Sequence, residues 1–240
     1  FISGPKPTGF QDAEWGSLVN DIEKAITLQT VPNPLVAEGL IAIYRDESKI
    51  QMQRDYALQH IGGFAMHLVQ AESATSGDVS SPSKIESRQS PIFNLLLSEL
   101  TSAAGQTDKP WSGTALNLLD GLLRNAEYSN INLPDLTSQS LLEMALPIAR
   151  DPSATLNARL PALQVAARHQ SPAARELARE ILSSPNADLM LVQSAAAALA
   201  HLGTAEDLPL LQAASASATR HTAPALNEAI RSIQTRPKSD

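Results

Sequence analysis

The sequence has no cysteine, so no disulfide can staple the chain and no thiolate can ligate a metal or attack a substrate. That absence leaves the compartment open, cytoplasmic or exported, because proteins of both kinds can lack Cys. Aromatic residues make up only 4%, too few for a sheet sandwich built on Val, Ile, Tyr and Phe. No apolar run reaches membrane-spanning length, so no transmembrane segment is expected in these residues. Basic excess is missing too: 18 Lys and Arg face 25 Asp and Glu, a net charge of −7, the wrong sign for displacing counterions from nucleic acid. Residues 1–80 carry five Lys/Arg and ten Asp/Glu, so cationic partners are favoured there. A G-x-S-x-G elbow, a Walker loop and G-x-G-x-x-G are all absent, and with them the familiar signatures of serine hydrolases, NTPases and dinucleotide enzymes.

What is present is alanine and leucine at helical spacing. With 240 residues and 43% hydrophobic content the chain can bury a substantial core, and its composition predicts an all-α fold. The organising stretch is LVQSAAAALAHLG, Leu191 to Gly203. Its run Ala195 to Ala198 leaves a helix face almost without bulk, so that a second helix can approach closely, and Gly203 reads as the helix stop.

In chain order, residues 1–10 form an irregular Gly/Pro-rich segment, and a first helix is expected over about Gln11 to Leu28, ended by Pro32 and Pro34. Helices follow over about Leu35 to Arg45 and Lys49 to Val69. Ala71 to Ser90 is serine-rich and reads as a loop or insertion. Ser90–Pro91, Asp151–Pro152 and Ser171–Pro172 read as caps with proline in the first turn. The sequence opens on Phe1 rather than Met, from which an omitted upstream signal or anchor is expected. Residues 235–240 form a polar tail.

The pattern of the organising stretch recurs from Gln53, Trp111, Ala158, Leu191 and Thr222. Counting each start as step one, step five reads Ala57, Ala115, Ala162, Ala195 and Leu226, and step nine reads Ile61, Leu119, Ala166, Leu199 and Ile230. Starts separated by a few tens of residues are the mark of a repeat architecture. The stretches RDYALQHI, ARLPALQVAARH and LVQSAAAALAHLG resemble second helices of HEAT repeats, particularly the short bacterial kind also found in phycobilisome lyases. Arg54 and Arg159 match the arginine that this family often carries at step two, whereas Ser112, Val192 and Ala223 do not.

The resemblance implies a right-handed α-solenoid of about eleven helices, one domain over residues 11–234, with a capping helix at 11–30 followed by five antiparallel pairs. It also implies that second helices line a concave, partner-binding side. Step seven, Gln59, Asn117, Gln164, Ala197 and Glu228, then faces outward, with Asp55, Asp120, Arg124, Arg168, His201 and Arg231 nearby. The implied function is non-catalytic: a protein interaction or scaffolding module that takes a protein or peptide partner and needs no cofactor.

Two alternatives come from other classes. One is a HEAT-like enzyme of the lyase or nucleic-acid glycosylase kind; the other is a structural spacer of an anchored exported protein. For a metal, His60 and His67 are seven residues apart, too far for the usual i, i+4 pair of ligands, and the His-Glu dipeptides of the HEAT-like iron hydroxylases are missing. Trp15 and Trp111 fall at core-like steps rather than on a groove. The arginines Arg150, Arg159, Arg168, Arg175 and Arg179 are balanced by Asp151, Glu176 and Glu180 beside them. Ser81 and Lys84 match S-x-x-K, but the S-D-N and K-T-G elements that accompany it in β-lactamases are missing.

Overall fold

The computed structural model describes residues 4, 6–28, 33–75 and 91–236, and among these there is no β-strand. Eleven α-helices occur in the described residues: α1 (Asp12–Thr27), α2 (Pro34–Arg45), α3 (Gln51–Thr75), α4 (Pro91–Gly105), α5 (Ser112–Tyr128), α6 (Ser138–Arg150), α7 (Leu156–Arg168), α8 (Pro172–Ser183), α9 (Leu189–Leu202), α10 (Leu208–Ala216) and α11 (Ala223–Thr235). The sequence reading of an all-α chain with about eleven helices is what the backbone shows. The helices group into two compact units: Phe1–Gln106 with Thr114–Thr137, and Thr107–Gly113 with Ser138–Asp240.

In the first unit α3 is the hub. It packs against α1, α2 and α4, and α2 also touches α4. On its other side α3 meets α5 where side chains are smallest: a Cβ on Gly62 would lie 2.5 Å from Leu118, and one on Gly121 would lie 3.8 Å from Met66. α1 meets α3 at Gly16 against Met52 and again at Asn20 against His60. These contacts advance together along both helices, so α1 and α3 run parallel.

In the second unit the helices form two layers. α6 pairs with α7, α8 with α9, and α10 with α11. α7, α9 and α11 then lie side by side, while α8 touches both α6 and α10 behind them. Each helix has one apolar stripe and cannot bury it alone, so a second row supplies the missing face. Alanine sets the spacing: Ala158, Ala162, Ala166, Ala174, Ala178, Ala195 and Ala229 have no exposed surface.

Several expected boundaries move, each for a local reason. Pro34 does not end α1; it opens α2, with the Asn33 side chain accepting from the Leu35 N–H at 3.0 Å. Asp151–Pro152 does not open a helix. Asp151 accepts from the backbone and side chain of Ser153 at 2.8 and 2.6 Å, and α7 begins after Thr155. Gly203 does stop α9, but with φ −65° rather than left-handed; glycine is required there because a Cβ would sit 2.5 Å from the Leu199 carbonyl and 2.6 Å from Ile233. α3 continues to Thr75. Residues 76–90, which hold the rest of the serine-rich stretch, Ser90 and the S-x-x-K match, lie outside the described residues, as do residues 29–32 with Pro32, and 237–240.

Candidate binding surface

The five pattern copies fall on α3, α5, α7, α9 and α11, and burial sorts their positions cleanly. Step one is buried in every copy: Gln53, Trp111, Ala158, Leu191 and Thr222. Step five is buried in every copy too, at no more than 1% exposure. Step seven is exposed in every copy: Gln59 and Asn117 in the first unit, Gln164, Ala197 and Glu228 in the second. A helix turns 100° per residue, so steps one, five and nine share a face and step seven lies opposite them. Ile230, at step nine of the last copy, is only half-buried because α11 lies at the end of its row, with α9 on one side alone.

Of the other residues read as surface candidates, Arg124, Arg168, His201 and Arg231 are exposed and Asp55 is half-exposed. Gln59 donates to Asp55 at 2.9 Å, and Arg231 pairs with Glu228 at 3.0 Å, each within one helix. Asp120 departs from the reading: it has no exposed surface, and Arg124 reaches in to it at 3.2 Å from α5 itself. It follows step nine directly, and step ten is likewise enclosed at Gly62 and Ala167, where neighbouring helices close over it. Arg231 occupies the same step in α11 and stays exposed, because no further helix covers that end of the row.

Sequence reasoning missed a repeated turn. Arg54 Nε donates to the Tyr44 carbonyl at 2.8 Å, and Arg159 Nε donates to the Ala149 carbonyl at 3.3 Å. Each carbonyl is ten residues earlier, in the last turn of the preceding helix, where carbonyls lack helical partners. Between them Asp46 accepts from Ser48 as Asp151 does from Ser153. These serine bonds are the largest influence holding both carboxyls below the usual range, and Arg54 and Arg159 add to it. The signal was in the sequence as Asp-x-Ser with Arg eight residues after the Asp, occurring twice.

A second missed cluster surrounds Asp207, which has no exposed surface. Its carboxylate accepts from Arg175 Nε at 2.9 Å and from the Thr204 N–H at 2.8 Å, with Arg179 Nε 3.4 Å away. Two of the five clustered arginines are thus turned inward to a buried acid, and a third, Arg159, to a backbone carbonyl. Trp15 and Trp111 are buried at 1% and 3%, as their spacing predicted.

Clefts lie elsewhere. In the second unit, one of about 600 Å³ opens between the α8–α9 and α10–α11 turns, lined by Leu182, Leu189, Leu210, Ser217 and Thr219 and by no ionisable side chain. Another, of about 540 Å³, is bounded by Glu143 and Arg150 of α6 and His169 of the α7–α8 turn, where His169 shares a hydrogen bond with Ser138 at 3.0 Å. None of the eleven surface candidates lines either cleft. Among the described residues no group of three His, Asp or Glu side chains is placed to hold a metal, and no helix is long and apolar enough to cross a membrane. No family model matches the chain, and no curated protein or solved structure matches it either.

Proposed function

We propose that the helix pairs of each unit are HEAT-like repeats stacked as an α-solenoid, and that the chain is a non-catalytic module which binds a protein or peptide on the exposed side of its second helices. The observation that carries this reading is the exposure of step seven in all five copies against the burial of steps one and five. In the second unit it gives three helices lying side by side with Gln164, Ala197 and Glu228 outward, and Arg168, His201 and Arg231 beside them. Such a face is polar, mixed in charge and set on rigid elements. It suits hydrogen bonding to an extended or helical segment better than enclosure of a small apolar molecule.

The test is retention of a partner from extract of the source cells on the immobilised chain, compared with a variant carrying Gln59→Ala, Asn117→Ala, Gln164→Ala and Arg168→Ala. A protein held by the parent and lost by the fourfold variant, with its helical spectrum intact, supports the reading. Equal retention by both rejects it.

A further inference from the structure

Glu23 is the most anomalous side chain in the first unit. It lies on the face of α1 turned to α3, has no exposed surface, and neither carboxylate oxygen has a hydrogen-bond partner. An ionised carboxylate in such a place forfeits its hydration and gains nothing in return.

The groups around it offer little compensation. From α3, His60 Nε2 lies 3.9 Å from Oε2, beyond hydrogen-bonding distance, and is engaged instead with Asn20 Oδ1 at 2.9 Å. His67, two turns further along the same face of α3, has a buried Nε2 without a partner. On α1 itself Lys24 is exposed and Thr27 donates to the Lys24 carbonyl. From α2, which also touches α1, Glu38 is exposed and Arg45 is bound to Glu99 of α4. Among the described residues no Lys or Arg lies within ion-pair distance of Glu23. Burial accordingly pushes its carboxyl up to about 7.

α1 packs chiefly on α3, with a smaller contact on α2. A helix docked through one face can open locally at a free energy below that of unfolding its whole unit.

We propose that α1 is a proton-held cap: it docks on α3 only while the Glu23 carboxyl is neutral, and ionisation of Glu23 releases it, uncovering the face of α3 between Met52 and His60. An acid with a raised folded pKa contributes fully below its unfolded value of 4.5 and loses that contribution as pH rises toward 7. His60 acts in the opposite sense below its ordinary 6.5, since burial, and to a lesser degree Lys24, lowers it against the pull of Asn20. Above that value Glu23 titrates alone, and docking weakens with rising pH.

Hydrogen exchange of the full chain, compared at about pH 6 and about pH 8 after correction for intrinsic rates, reads the docking equilibrium of α1 directly. The protection of α1 amides falls between the two conditions, by less than the about tenfold that one group near 7 would give alone because His60 opposes it at pH 6, while α4 amides keep theirs. Glu23→Gln and Glu23→Leu, two neutral replacements of different shape, abolish the fall. Unchanged protection of α1 in the parent chain, an equal fall in α4, or a fall that survives in both variants would overturn the proposal.

Discussion

Gly113, in the first turn of α5, lies so close to Asn157, in the first turn of α7, that a Cβ on the glycine would stand 1.9 Å from the asparagine carbonyl oxygen. Pro161 closes the same spot at 2.6 Å. A backbone oxygen cannot swing aside as a side chain can. Gly113→Ala therefore costs about 3 kcal/mol or more, at the upper end of overpacking penalties. Gly63→Ala is its control: exposed within α3, with nothing within 4 Å of its Cβ, it gains about 0.5–1 kcal/mol from helix propensity. Urea unfolding of both variants reads the two effects with opposite sign.

Gln170 ends α7 in the left-handed region at φ 55°, with the Ser171 N–H reaching back to the Ala166 carbonyl at 3.1 Å. This is a turn that glycine fills without strain. Gln170→Gly raises stability by about 0.5–1 kcal/mol in thermal unfolding, despite the general cost of glycine to the unfolded chain. Loss of stability would mean that the glutamine side chain contributes more than its backbone strain removes.

The Asp207 cluster separates a buried pair from a surface one. Asp207→Ala strands Arg175 and the Thr204 N–H and costs about 3 kcal/mol, in the range for removing one member of a buried ion pair. Glu206 also meets Arg175, at 3.2 Å, but is 78% exposed, so Glu206→Ala lowers the unfolding free energy by less than about 0.5 kcal/mol. Equal effects would contradict the burial argument.

Asp46 and Asp151 give a pH signature. Both carboxyls are held below 3.8, so the stability they supply is complete above that value and is lost as pH falls through their folded range. Asp46→Asn and Asp151→Asn should each flatten the decline in urea midpoint between about pH 5 and pH 2.5. An undiminished decline in the double variant would place the acid sensitivity elsewhere.

The parts of this molecule that were legible in the sequence are those written in helical periodicity. Ala57, Ala115, Ala162 and Ala195 share a step that has no exposed surface in any of these copies. Burial there follows from the 3.6-residue turn alone, and so does the exposure of step seven. Asp120 was misread because an aspartate at a helix position normally signals solvent; its enclosure depends on which helix lies across α5, which no local pattern encodes. Arg231 occupies the same step and is exposed for the converse reason. Glu23 was invisible for a related cause. Val19 and Glu23 lie one turn apart on the buried face of α1, and periodicity alone does not show that a carboxyl interrupts an otherwise apolar stripe without a partner. Pro34 and Asp151–Pro152 show the limit of punctuation: the same residues open one helix and merely shape a turn before another.

The central claim is that the second helices present the binding face, and photo-crosslinking tests it at the level of single residues. A photoreactive amino acid is placed at Gln164 on α7 or at Glu180 on the paired outer helix α8, and the chain is irradiated in extract of the source cells. A discrete crosslinked partner from position 164 and none from position 180 is the result this account predicts. Crosslinking that is stronger from position 180, or equal from both, would contradict it.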